Sequence, residues 1–150
     1  MNHVRTVSAA LLVLALAGCG GPLKLQFKGG DVLAPVKDPP ENTPVDVRVF
    51  LLKDKGAFEK ATFESLWGNK YKDVLGSDVV GEPRPITIMA KDKKELNLGE
   101  IAKEVRFIGV MAMYQSKAPG APQTRHVAVT KEDADDYVFE LIEFRLEAKK

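Results

Sequence analysis

Few side chains in this 150-residue chain are suited to covalent or acid–base chemistry. There is one cysteine, Cys19, and there are two histidines, His3 and His126. Cys19 follows Leu16-Ala17-Gly18, and residues 7–18, VSAALLVLALAG, are apolar or small throughout. A run of about 12 such residues is too short to cross a bilayer as a helix. With Arg5 upstream and small residues at its end, it has the plan of a secretory signal peptide. The cysteine in register behind Ala17-Gly18 makes the pattern that of a lipobox. A lipoprotein signal peptidase cuts before such a cysteine, whose sulfur carries a diacylglyceryl group. Only a thiol forms that thioether. An ordinary signal peptide with an incidental cysteine is the alternative, and it gives no reason for where the only cysteine stands. Cys19 is therefore the expected lipidation site, and covalent lipid is the only added group expected; no cofactor is.

The rest of the inventory is thin. There is no Gly-x-Ser-x-Gly elbow, phosphate-binding glycine loop or paired-histidine metal motif. His126 alternates with Val127 and Val129, which suits a packed or surface strand residue better than a catalytic one. Asp133, Asp135 and Asp136 resemble part of a calcium loop but lack its glycine and distant glutamate, so a solvated turn is the expectation and no metal is. Trp67 reads as a core anchor. Nothing in the sequence asks for an enzyme.

Composition narrows the classes further. Removing Arg5 with residues 1–18 leaves basic and acidic residues in balance, which excludes the basic footprint of a nucleic-acid binder. With Cys19 lipidated no thiol remains for a disulfide. No second long apolar run follows, so acyl chains are the only membrane attachment expected, and two or more make it stable. Residues 19–150 amount to one domain with a sizeable core. Gly20 follows the cysteine; an aspartate there commonly retains lipoproteins in the inner membrane, so Gly20 favours the outer one.

The elements follow from patterning. Residues 19–22 form a short tether. Leu23-Lys24-Leu25-Gln26-Phe27-Lys28 alternates as a half-buried strand does. Residues 29–44, GGDVLAPVKDPPENTP, hold four prolines and two glycines, which exclude helix and ladder pairing. A loop this long in a compact domain is usually functional or disordered. Residues 45–52 form the next strand. Residues 57–76 have helical character: Thr62 suits an N-cap, Phe63, Leu66 and Trp67 meet at helical spacing, and Gly68-Asn69 suit the end, so two short helices are expected. Strands follow around 85–90 and 95–98. Residues 104–115 are apolar on both faces: Val105, Phe107, Met111 and Met113 with Gly109, against Ile108, Val110, Ala112 and Tyr114. Such a strand is covered on both sides, here by the opposite sheet and by the helical insertion. A strand at 124–130 and a final strand at 137–148 complete the chain. The apolar parity of the last shifts between Leu141 and Ile142, which predicts a bulge or crossing. About seven short strands with one insertion give an all-β, two-sheet β-sandwich over residues 23–150.

Residues 45–80, VDVRVFLLKDKGAFEKATFESLWGNKYKDVLGSDVV, resemble the hallmark region of the TssJ (VasD, SciN-like) lipoproteins of the bacterial type VI secretion system. The matching parts are Val47-Arg48-Val49-Phe50-Leu51-Leu52, then Phe58, Phe63, Leu66 and Trp67, then Leu75-Gly76-Ser77-Asp78. Phe107-Ile108-Gly109-Val110-Met111-Ala112 is similar to a later family strand. The resemblance implies a transthyretin-like sandwich with an added helical element, on an outer-membrane lipoprotein facing the periplasm. It implies as partner the periplasmic domain of the inner-membrane component TssM, in a complex that also contains TssL. The family's contact lies in the loop between the first two strands, which maps to residues 31–44. The family often reads LNPD..GRPSP there, and this chain departs from it. Asp31, Val32, Leu33, Pro35, Val36, Lys37, Asp38 and Pro44 are the contact residues expected, with Phe58, Phe63, Leu66 and Trp67 in the core. No nucleic acid or small-molecule substrate is expected.

A second reading is a periplasmic small-molecule or carbohydrate-binding lipoprotein with Trp67 or Tyr114 as stacking platform. A deep pocket beside an exposed Trp67 would favour it. A buried Trp67 and a protruding 31–44 loop would favour the tether.

Overall fold

The computed structural model describes residues 21–33, 43–114 and 125–150. The expected signal peptide, the expected lipidation site Cys19 and the loop residues Pro35, Val36, Lys37 and Asp38 lie outside the described residues. Two four-stranded sheets form the sandwich. The first has the order β4-β1-β7-β8, from Lys93–Gly99, Leu23–Gly29, Val138–Ile142 and Arg145–Lys149. The second has the order β3-β2-β5-β6, from Arg84–Ile88, Val45–Leu52, Phe107–Met113 and His126–Thr130. Among the described residues only β1 and β7 pair in parallel. The all-β, two-sheet sandwich expected from alternation is therefore the fold.

The main core lies between the sheets. Leu25 and Phe27 of β1, Val45, Val47 and Val49 of β2, Ile108, Val110 and Ala112 of β5, and Phe139 and Leu141 of β7 are buried in it. Phe27 stacks on Phe139 with ring centroids 5.4 Å apart, an offset arrangement that aromatic quadrupoles favour.

Three short helices fill the stretch between β2 and β3: α1 at Gly56–Lys60, α2 at Phe63–Trp67 and α3 at Tyr71–Leu75. The sequence predicts two. Thr62 caps α2 through its side-chain oxygen, which accepts from the Ser65 N–H. The helices lay Phe58, Leu66, Tyr71 and Leu75 on Phe50, Leu52 and Met111, making a second core on the outer face of β2 and β5. Both covers of β5 are thus those its double apolar pattern requires. Phe58 approaches so closely that a Cβ on Gly109 would stand 2.9 Å from its ring. Val105 differs from expectation: it precedes β5 and joins the main core.

The final segment also differs. Residues 137–148 are no single bulged strand but a hairpin, β7 and β8, with Ile142 opposite Arg145. Glu143 and Phe144 form its two-residue turn at φ 43° and 65°. The parity shift read from the sequence is the chain reversing.

Strand directions give the sandwich two poles. β1 begins at Leu23 and ends at Gly29 beside the ends of β7 and β3 and the start of β4. Residues 30–33, the 89–92 turn and the 143–144 turn share this second pole.

Candidate functional site

The loop singled out by sequence has its root, residues 29–33, at that second pole. Two glycines make its root possible. A Cβ on Gly29 would lie 2.1 Å from the Met89 carbonyl oxygen, and one on Gly30 would lie 3.1 Å from the Leu141 oxygen. At Gly29 the backbones approach closer than any side chain allows, and at Gly30 a Cβ would crowd its neighbours. The Gly29 N–H donates to the Asp92 oxygen at 2.9 Å and the Gly30 N–H to the Leu141 oxygen at 2.8 Å.

The contact residues expected in the described part of the loop separate by environment. Asp31 and Pro44 are exposed and Val32 is half-buried. Leu33 is fully buried and belongs to the main core. That corrects its expected place on a contact surface: its side chain is occupied within the domain. The carbonyls of Val32 and Leu33 accept from the Glu143 and Phe144 N–H groups at 3.1 and 3.0 Å. Sequence reasoning missed this partnership, because Glu-Phe carries none of the glycine or asparagine signal of a left-handed turn.

An open depression of about 440 Å³ lies beside the root, lined by Lys28, Asp31, Val32, Lys91, Ile142 and Glu143 among others. Glu140, also on its wall, is clasped by Lys149 and Lys28, the latter at 2.7 Å. Hydrogen bonds from these two lysines, Lys149 first, hold its carboxyl below the usual range. Asp92 is held low mainly by the Met89 N–H at 2.8 Å, then by Lys94. Met89 stands about half exposed, at 51%.

Among the residues expected in the core, Phe58 and Leu66 are fully buried, while Phe63 and Trp67 are half-buried and pack against the second core. The two rings considered as ligand platforms are both engaged. The Arg48 guanidinium lies 4.2 Å over the Trp67 ring and donates to the Trp67 carbonyl; Phe63 lies nearly parallel to the same ring, at 6.0 Å. Tyr114 is buried, packs edge-on against Phe144 and donates its hydroxyl to the Arg145 carbonyl. Burial pushes that hydroxyl's pKa far up. His126 sets its ring edge-to-face with Phe58 at 5.3 Å, a packed strand histidine as its alternation suggests. Among the described residues no cluster of histidine, cysteine and acidic side chains could hold a metal ion, and no helix is long and apolar enough to cross a membrane.

TssJ1 of Pseudomonas aeruginosa, a type VI secretion lipoprotein, superposes with a TM-score of 0.69 at 18% identity, over 86% of this chain and 98% of that one. Lip of Serratia marcescens, a membrane-bound component of the type VI secretion system, superposes with 0.66 at 23% identity, over 85% and 96%. A chain of a type VI membrane complex superposes with 0.70 at 16% identity, over 87% and 98%. At these identities the likeness establishes the fold. No curated protein sequence matches the chain. The profile of the type VI secretion lipoproteins, described by VasD, EvfM and TssJ, matches residues 22–147. The chain belongs to this family of type VI secretion lipoproteins.

Proposed function

We propose that the protein is an outer-membrane lipoprotein that tethers the type VI membrane complex, without catalysis. Lipid on Cys19 holds it, the sandwich faces the periplasm, and the 31–44 loop docks on the periplasmic domain of the inner-membrane component TssM, with TssL in the same assembly. The single observation that carries the reading is the opposition of the two poles. The tether enters at Leu23, and the loop departs beyond Gly29, at the other end of a seven-residue strand. At about 3.3 Å per residue that separates them by roughly 20 Å. A membrane anchor at one end and a docking loop at the other suit a protein that bridges two partners. The engaged states of Trp67 and Tyr114 weigh against the ligand-binding alternative.

The test compares the full-length chain with a variant whose residues 34–42 are replaced by a Gly/Ser linker. Each is used to capture the TssM periplasmic domain from envelope extracts. Capture by the unsubstituted chain alone supports tether and site together. Capture by both moves the site outside residues 34–42, and capture by neither overturns the reading. Cys19→Ser separately tests the anchor: it should leave the outer-membrane fraction and abolish secretion.

A further inference from the structure

We propose that the β7–β8 turn is a latch that fixes the root of the docking loop, with Leu33 and Phe144 as its positioning residues; this rests on the function proposed above. A chain entering a long loop ordinarily leaves its sheet without further ties. Here the root is tied on both sides. On one side the Gly29 N–H donates to Asp92 and the Gly30 carbonyl accepts from the Lys91 N–H at 3.0 Å. On the other, the Gly30 N–H donates to Leu141, and the Glu143 and Phe144 N–H groups donate to the Val32 and Leu33 carbonyls.

Glu143 and Phe144 present both N–H groups to the root from left-handed backbones, φ 43° and 65°. Glycine adopts that conformation freely, whereas side chains oppose it. A turn with two such residues persists only where its surroundings over-determine it. The surroundings are visible. Phe144 is 2% exposed and meets the ring of Tyr114 edge-on at 5.7 Å. The Tyr114 hydroxyl bonds to the carbonyl of Arg145, the next residue of the hairpin. Leu33, fully buried, joins Tyr114 and Phe144 in the main core. The root is thus pinned by its backbone to the turn and by its side chain to the core beneath. The root up to Leu33 is thereby a fixed point, which lowers the ordering entropy lost on docking.

The test reads the latch and the docking separately on the full-length protein in detergent. Hydrogen exchange at the Glu143 and Phe144 amides reports the latch. Association with the purified TssM periplasmic domain reports docking. Leu33→Ala should cost these two amides their protection while β2 and β5 amides keep theirs, and should slow association of the folded protein about tenfold. Leu33→Met should restore both readings. Phe144→Leu, which keeps an apolar group but loses the ring contact with Tyr114, should show the same pair of effects more weakly. A lower melting temperature with an unchanged association rate would make Leu33 a merely structural residue and overturn the proposal. Protected amides in Leu33→Ala would overturn it too, since the latch would not depend on that side chain. No association by the unsubstituted chain would remove the proposed function and the latch's role with it, even with both amides protected.

Discussion

The two outer faces of the sandwich solve the same problem in opposite ways. The outer face of the β2–β5 sheet is apolar, with Phe50, Leu52 and Met111, and three five-residue helices cover it. The outer face of the β1–β7 sheet is charged and stays open to water. Across it run Lys24 and Gln26 to Glu95, then Lys28 to Glu140 to Lys149. Helices this short are not stable alone, so the insertion folds only because the apolar face receives it. The charged face needs no cover, since its side chains meet both water and one another. The difference shows where stability resides: one face contributes buried apolar area, the other mainly solubility and register.

Substitutions on each face test that contrast. The largest effect is expected on the covered face. Phe58 is fully buried between Phe50 and His126, so Phe58→Ala should cost about 3–5 kcal/mol in denaturant unfolding. Gly109→Val comes next, about 1–3 kcal/mol, because the added side chain overpacks against Phe58 and Leu52. Trp67 is the chain's only tryptophan and sits on α2, so its emission reports on the insertion alone. In Gly109→Val the emission should change at lower denaturant than the strand circular dichroism. Coincident transitions would mean that cover and sandwich unfold as one, and the contrast between the faces would fail.

Much of this was legible in the residues themselves. Alternation in residues 23–28 and 45–52 marks strands with one inward face, and the double apolar pattern of 105–114 demands two covers. The composition of 29–44 marks an unusual loop. What stayed hidden depends on long-range partners. Glu143-Phe144 lacks any turn residue, and its conformation is imposed by Tyr114, Phe144 burial and the loop root. A two-residue reversal shifts apolar parity much as a bulge does, so the sequence alone does not separate them. Leu33 looks like an exposed apolar residue beside prolines; only the closed sandwich shows that its side chain completes the core. The parallel pairing of β1 with β7 joins strands over 100 residues apart, and no local pattern encodes it.

The charged face should respond weakly, and in a way that depends on pH. Glu140 is largely buried between two half-exposed lysines, so Glu140→Gln should cost about 1 kcal/mol at neutral pH, reduced by solvent screening of its partners. The folded carboxyl titrates below its unfolded range. Its contribution is therefore complete above the ordinary glutamate range and is lost as pH falls through the folded value. Urea midpoints of the two proteins should differ at pH 7 and converge as the pH falls below the folded carboxyl's own titration; a gap that persists in acid would assign the loss to packing instead.

The smallest effect is expected at Lys24, 49% exposed and 3.0 Å from a Glu95 carboxylate that is itself 42% exposed. Hydrogen bonds from Lys24 and Gln26 lower the Glu95 pKa, yet both groups remain in water and salt screens them. Lys24→Ala should leave the melting curve within its reproducibility, and added salt should remove any residual difference. A clear loss that survives high salt would show the lysine and glutamate ladder acting as a coupled network. The open face would then stabilise the fold through specific contacts, as the covered one does, and the two faces would differ only in the chemistry of those contacts.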